Sequence, residues 1–290
     1  MYSKFELTIS DEFFNKNLNE YLKTGETIYN EHRNTTRELL KKFIYENGHI
    51  DGTSMKNHWF QMEDVDIFIS HSHQDIDKVK AFAGWLHDEF NLTVFIDSCV
   101  WGYCDELLKE IDNNCSINED GETYDYYVRN YTSSHVHIML ATALSEMIDK
   151  TECIMFYNTP NSITLATDIS TIKEKRDDKL VTLSPWIYHE LAMTSLIKET
   201  KPLRKMTLLE SVLSHKEYSE TDAVRIEHEV DEYLKSMISL TGENLGIWEQ
   251  NYRTLKHTRD ESTSLYIIGY ENVHPLDALY ALFFNSEKEA

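Results

Sequence analysis

The pattern of hydrophobic and polar positions over residues 64–111 predicts a β-α-β unit. Residues 67–69 are an apolar run of β-branched and aromatic side chains that stops at a polar stretch, as a buried strand does. Over residues 79–90, apolar positions recur at spacings of three and four, which is typical of an amphipathic helix. A second short run, residues 93–96, ends at Asp97. A strand, a helix and a strand in this order indicate a parallel sheet.

Polar side chains follow both predicted strands of this unit. Ser70 and His71 come directly after the first strand, and Asp97 comes directly after the second. In open parallel sheets, ligands bind at the carboxyl ends of the strands. We therefore expect Ser70, His71 and Asp97 to lie at a binding crevice. Turn capping would also explain Ser70 and His71, and support of the following loop would explain Asp97.

A later segment predicts a helix that carries one charge on its apolar face. Ser184 is a suitable N-cap residue, and Pro185 suits the first helical position. In such a helix Trp186, Glu190 and Met193 share one face, where Glu190 is the acidic member of an apolar stripe. A carboxylate at such a position reaches solvent, finds a polar partner or takes part in function.

The remaining pattern divides the chain into three regions. Residues 1–62 predict a helical N-terminal extension, and residues 206–290 predict a mainly helical C-terminal region. Between them, residues 63–205 form the predicted α/β domain. Polar, turn-rich stretches at about 113–134 and about 161–183 predict insertions in that domain.

Composition limits the classes of function. The chain has 290 residues, of which 50 are acidic and 28 basic, so the net charge is −22. This charge would repel phosphates, and we expect no nucleic-acid partner. Because no apolar run is long enough to span a membrane and the first residues lack a signal-peptide pattern, we expect a cytoplasmic protein with no membrane partner. The four cysteines form no CxxC pair and are expected to be free thiols.

The order of these motifs resembles bacterial Toll/interleukin-1 receptor (TIR) domains over residues 65–197. The first matching piece is the strand end at residues 68–75, and the second is the strand end at residues 94–97 with the helix after it. The third is the pattern in which Trp186 and Glu190 are separated by three residues. Each piece is common by itself, and the resemblance depends on all three occurring in this order.

The resemblance implies a flavodoxin-like TIR fold, in which a central parallel sheet is flanked by helices and the helical N- and C-terminal extensions lie outside. The segment between Asp97 and Asp105 takes the place of the family's BB loop. The resemblance further implies an NAD⁺ glycohydrolase or cyclase that gives ADP-ribose or a cyclic ADP-ribose-type signal, in bacterial antiviral signalling. NAD⁺ would then be the substrate, and no separate cofactor is expected.

The same resemblance implies a catalytic role for Glu190. Nicotinamide leaves NAD⁺ as a neutral molecule, so the reaction needs no general acid, but positive charge develops on the ribose. A carboxylate beside the ribose stabilises that charge. Trp101 and Trp186 would also suit structural positions, as a loop anchor and as a scaffold of the helix. The residues expected to bind the substrate are Ser70, His71, Asp97, Trp101 and Trp186.

Other chemistries agree less well with the sequence. His71 and His73 would point apart in an extended segment and lack a third strong ligand, so no metal site is expected. A receiver-like domain with Asp97 as phosphoacceptor would need a cluster of acids after the first strand, where the chain has Ser70 and His71. The alternative to an enzyme is a non-catalytic TIR module for protein–protein interaction. By resemblance we also expect self-association through the TIR domain and a downstream effector that senses the product.

Overall fold

Short strands and longer helices alternate in the computed structural model, which describes residues 1–10, 12–14, 17–33, 40–46, 49–60, 64–118, 123–166, 179–204, 226–261 and 273–284. The strands are β1 (Ser3–Thr8), β2 (Ile67–Ser70), β3 (Val94–Ile96), β4 (Cys153–Tyr157), β5 (Thr164–Leu165), β6 (Leu180–Thr182), β7 (His228–Glu229) and β8 (Ile238–Thr241). The helices are α1 (Leu18–Arg33), α2 (Gly52–Trp59), α3 (Ile76–Phe90), α4 (Ser98–Ile111), α5 (Tyr126–Lys150), α6 (Pro185–Leu196), α7 (Asp231–Leu234), α8 (Gly242–Glu261) and α9 (Pro275–Tyr280). Single turns of 3₁₀-helix (Leu40–Phe43 and His73–Asp75) and of π-helix (Asp112–Ser116) complete the described elements.

Five described strands form a parallel sheet in the order β3-β2-β4-β1-β8. This is the spatial order of a flavodoxin-like sheet, 2-1-3-4-5, if β2 is counted as the first strand and β1 takes the fourth place. A separate antiparallel sheet has the order β5-β6-β7. The prediction of an α/β fold with a central parallel sheet flanked by helices is confirmed.

Alternate residues of the central strands enter two hydrophobic cores. Ile67 and Ile69 of β2 belong to a core shared with α3, α8 and α9, whereas Phe68 between them belongs to a core shared with α4 and α5. This division follows from the two-residue period of a strand. None of the described helices is long and apolar enough to cross a membrane.

Both terminal regions contribute a strand to the central sheet, which corrects the prediction of helical extensions. β1 lies between β4 and β8, within the segment predicted as the N-terminal helical extension. Phe5 and Leu7 are buried and alternate with charged residues in this strand. Six residues of this two-residue period are a weaker signal than the longer helical pattern that follows. β8 likewise falls in the region over residues 206–290 that was predicted to be mainly helical.

Helix α4 occupies the segment predicted to be a loop after Asp97. The predicted insertion at about 113–134 is also partly helical, since it contains the π-helical turn and the first turns of α5. In the insertion predicted at about 161–183, the described part supplies β5 and β6, and residues 167–178 lie outside the described residues. The apolar positions of α4 recur at helical spacing; its buried apolar residues are Cys99, Val100, Cys104, Leu107 and Ile111.

Candidate active site

The candidate site lies where the strand order of the sheet reverses. β2 pairs with β3 on one side and with β4 on the other, and ligands bind at such a reversal, beside the carboxyl ends of the strands. Ser70 is the last residue of β2. Asp97 follows β3, and its backbone N–H donates to the carbonyl of Ile69 at 3.2 Å. The two strand ends expected to carry binding residues are therefore adjacent.

Helix α6 brings Glu190 to these strand ends. Ser184 caps the helix by accepting a hydrogen bond from the backbone N–H of Ile187, and Pro185 takes the first turn. Glu190 is only 1% exposed, and the hydroxyl of Ser70 donates to its Oε2 at 2.5 Å. This hydrogen bond joins two residues that are 120 positions apart in the sequence.

His71 and Asp97 are fully buried in the same cluster. Nδ1 of His71 lies 2.6 Å from Oδ1 of Asp97, and the backbone N–H of His71 donates to Oδ2 at 3.3 Å. On the other side of the ring, Nε2 lies 3.2 Å from Oγ of Ser98. Because polar atoms approach both ring nitrogens, the orientation of the imidazole is fixed.

Glu190 and Asp97 form a buried carboxyl pair. Their carboxyl groups are in hydrogen-bond contact, and burial raises the pKa of each well above its ordinary value. The negative charge of Asp97 raises the pKa of Glu190 further, whereas the hydrogen bond from Ser70 opposes that shift. Two buried carboxyl groups in contact repel each other when both are charged, so their simultaneous ionisation is disfavoured.

Among the described residues, no Lys or Arg forms an ion pair with Glu190 or Asp97, and none is a leading cause of their pKa shifts. In the same part of the chain, no donor lies within hydrogen-bond distance of the buried Oε1 of Glu190, whereas Oδ1 of Asp97 lies 2.6 Å from Nδ1 of His71. The 2.6 Å contact with Asp97 would favour a charged His71 ring, but burial outweighs it and lowers the pKa of His71 to about 4. Within the described part of the chain, the cluster is therefore acidic and has no Lys or Arg partner.

Neither of the two tryptophans predicted to bind the substrate is described as part of the buried cluster. Trp186 lies one helical turn before Glu190 and is half-buried against the core around α5, where its ring meets His137 edge to face at 5.9 Å between centroids. This placement is that of a scaffold residue for α6. Trp101 lies in α4, and its side chain is outside the described residues.

Asp75 and the segment after β4 extend the polar cluster beyond the predicted residues. Asp75 is buried and accepts hydrogen bonds from Oγ1 of Thr159 at 2.5 Å and from Nδ2 of Asn161 at 2.8 Å. Its charge also acts on His71. The sequence carried a usable pattern for these residues. Thr159 and Asn161 follow an apolar run, as polar residues also follow the two strands that were used to predict the site.

Helix α6 is held in place by contacts at both of its sides. Nζ of Lys4, in β1, donates to the carbonyl of Thr194 at 2.9 Å in the last turn of α6. A cation at this end satisfies a carbonyl that has no helical partner and interacts favourably with the helix dipole. Nε2 of His189 lies 3.0 Å from the carbonyl of Ala141 in α5. The position of Glu190 therefore depends on β1 and α5 as well as on β2.

Comparison with models of known protein families, with curated proteins and with solved structures finds no match to this chain. The TIR resemblance accordingly depends on the motifs and their order. Within the part of the chain that the structure describes, no group of three or more His, Cys, Asp or Glu side chains could hold a metal ion. The chemistry that the cluster offers is electrostatic: a buried acid pair that favours a ligand carrying or developing positive charge.

Proposed function

We propose that this chain is a cytoplasmic TIR-type enzyme that cleaves the nicotinamide–ribose bond of NAD⁺, in bacterial antiviral signalling. One observation carries the proposal: the only acid on the inner face of α6, Glu190, meets Asp97 and Ser70 at the strand-order reversal, with no described Lys or Arg to neutralise the pair. An uncompensated buried carboxyl pair is costly for folding, and such groups persist where function needs them.

In the proposed reaction the C1′–N bond of NAD⁺ breaks, and its electron pair stays with nicotinamide, which leaves as a neutral molecule. Positive charge then develops at C1′ of the ribose. The Glu190 carboxylate stabilises that charge, and the low local dielectric strengthens the interaction. Ser70 orients the carboxylate through its 2.5 Å hydrogen bond. If water attacks C1′ and loses a proton, the product is ADP-ribose; if an adenine nitrogen attacks, the product is a cyclic isomer.

Burial of Glu190 adds a condition to this mechanism. At 1% exposure the carboxyl group has no room beside it for a ribose, so NAD⁺ binding requires the surrounding segments to open. The proposal therefore includes an activating step, which self-association through the TIR domain would supply, and an effector that responds to the product.

Incubation of the purified chain with NAD⁺ tests the proposed activity, with nicotinamide release as the readout and mass spectrometry to identify the ribosyl product. Glu190→Ala should reduce the rate at least about 100-fold, the loss typical of a removed electrostatic group at a reaction centre. Glu232→Gln is the matched control, because Glu232 is 84% exposed on α7 and pairs with Lys235 at the surface. Wild-type-like NAD⁺ consumption by the folded Glu190→Ala protein would refute the assignment.

A non-catalytic interaction module is the second candidate, and the exposed face of α5 favours it. We call this face the tyrosine face; its large residues are Tyr126, Tyr127, Tyr131 and Ile138, exposed by 66–82%. Tyrosine-rich, uncharged surfaces are typical of protein interfaces. This candidate predicts no nicotinamide release at any protein concentration and a loss of association when Tyr127 and Tyr131 are both changed to Ser.

A further inference from the structure

Asp97 and Glu190 differ in the hydrogen bonds that they receive. The backbone N–H groups of His71 and Ser98 both donate to Asp97, and Nδ1 of His71 lies 2.6 Å away. Glu190 accepts a hydrogen bond from the hydroxyl of Ser70, and no second donor to it is found among the described residues. Hydrogen bonds to a carboxylate favour its charged form. This difference in hydrogen bonds favours the negative charge on Asp97 and the proton on Glu190.

The groups that surround the pair do not reverse this assignment. From the segment after β2, His71 is neutral because burial lowers its pKa to about 4, and Asp75 adds a second negative charge. From α4, the neutral hydroxyl of Ser98 faces His71. On α6, Nε2 of His189 is directed to the carbonyl of Ala141 in α5 rather than to the pair. From the segment after β4, two neutral side chains hold Asp75; they are Thr159 and Asn161.

We propose that Asp97 is a positioning residue that keeps Glu190 protonated in the free protein by accepting its hydrogen bond, and that Glu190 must release this proton to solvent before it acts on the substrate. The second half of this inference rests on the proposed NAD⁺ cleavage. The first half is a property of the free protein. A neutral Glu190 gives little stabilisation to a developing cation, so Asp97 controls the fraction of protein that is ready to react. The nicotinamide cation of NAD⁺ favours loss of the proton, because it brings positive charge to the pair.

Two substitutions that act in opposite directions test the inference on turnover. Asp97→Asn removes the neighbouring negative charge and supplies an amide donor, while its oxygen still accepts from the backbone. The acid limb of nicotinamide release against pH should then move to lower pH by at least about one unit, a tenfold change in rate at a fixed pH on that limb. Ser70→Ala removes the donor to Glu190, and the limb should move to higher pH. A purely structural role for either residue lowers the rate equally at all pH values.

Infrared spectroscopy tests the inference without any activity. The carbonyl stretch of a protonated carboxylic acid is resolved from the bands of a carboxylate. The wild-type chain at pH 7 should show a protonated-acid band that the Glu190→Gln variant lacks. In Asp97→Asn this band should disappear at lower pH than in the wild type. Absence of the Glu190 band at pH 7 would overturn the inference even if NAD⁺ is cleaved. Presence of the band with no nicotinamide release refutes the proposed function and leaves the assignment of the proton intact.

Discussion

Two pairs of carboxyl groups lie at opposite ends of the same parallel sheet, and they are neutralised in different ways. Glu152 directly precedes β4, and it shares Arg204 with Asp277 of α9 at distances of 2.6 and 2.7 Å. Glu190 and Asp97, at the carboxyl ends of the strands, contact each other directly instead, and no described Lys or Arg forms an ion pair with them. The first pair joins the C-terminal helix to the sheet.

Glu152 and Asp277, with Arg204 between them, stabilise the fold. Glu190 and Asp97 lower the free energy of unfolding. A guanidinium held by two carboxylates satisfies all three groups with aligned hydrogen bonds. A buried carboxyl pair without a cation must keep one group neutral, and its desolvation is only partly offset. Substitutions in the two pairs should therefore change the free energy of unfolding in opposite directions.

The largest effect is expected at the amino end of the sheet. Arg204→Met should destabilise the chain by about 2–3 kcal/mol, because it leaves the buried Asp277 without its cation and Glu152 with the hydroxyl of Tyr280 as its remaining described partner. Partial exposure of Arg204 keeps the loss below that of a fully buried pair. Chemical denaturation at pH 7 measures this change. A loss below about 0.5 kcal/mol would place the Arg204 cluster among ordinary surface ion pairs.

The opposite sign is expected at the carboxyl end. Glu190→Gln keeps the shape of the side chain and an acceptor for Ser70, but it removes a buried acid that resists ionisation. The variant should be more stable than the wild type by about 1–2 kcal/mol at pH 8, as is common when buried ionisable groups are replaced by neutral ones. Thermal unfolding at matched concentrations checks the direction. Destabilisation by Glu190→Gln would show that the carboxyl group supports the fold.

The pH dependence of stability sharpens the same contrast. The folded-state pKa of Glu190 is raised above its ordinary value of 4.5, so the folded chain binds more protons than the unfolded chain above pH 4.5. This contribution to stability is fully present below pH 4.5 and is lost as the pH rises through the folded-state pKa. The free energy of unfolding should fall more steeply between pH 5 and pH 9 in the wild type than in Glu190→Gln. Parallel curves for the two proteins would contradict the raised pKa.

A smaller effect is expected where β1 supports α6. Lys4→Met keeps the aliphatic stem but removes the donor to the carbonyl of Thr194, and the loss should be about 1 kcal/mol, the contribution of a typical hydrogen bond. If β1 also fixes the position of Glu190, nicotinamide release should fall several-fold with little change in KM. Denaturation and steady-state kinetics on the same preparation separate the two effects.

The sequence predicted the carboxyl end of the sheet better than its amino end. Apolar runs followed directly by polar residues identified Ser70, His71 and Asp97 as neighbours, because strand ends of a parallel sheet meet at one edge. The helix that carries Glu190 was predicted from a strong N-cap and a proline at its start. Each of these signals is local, and each lies within ten residues of the side chain that it places.

The parts that were not predicted depend on contacts between distant segments. β1 is a six-residue strand whose partners, β4 and β8, lie more than 140 residues away, so no local pattern identifies its place in the sheet. The contact between the carboxyl groups of Glu190 and Asp97 likewise depends on α6 meeting the end of β3, and on burial that composition does not reveal. The first half of α4 was missed for a different reason, since the resemblance placed a loop between Asp97 and Asp105 where the structure has a helix that begins at Ser98.

The rate of nicotinamide release by the wild type and by Glu190→Gln, at saturating NAD⁺ and pH 8, tests the central claim most directly. Circular dichroism and thermal unfolding of both proteins establish that each is folded. The account predicts turnover by the wild type and a rate at least about 100-fold lower in the variant, although the variant is the more stable protein. Equal rates in the two folded proteins, or no release by the wild type at any protein concentration, would contradict it.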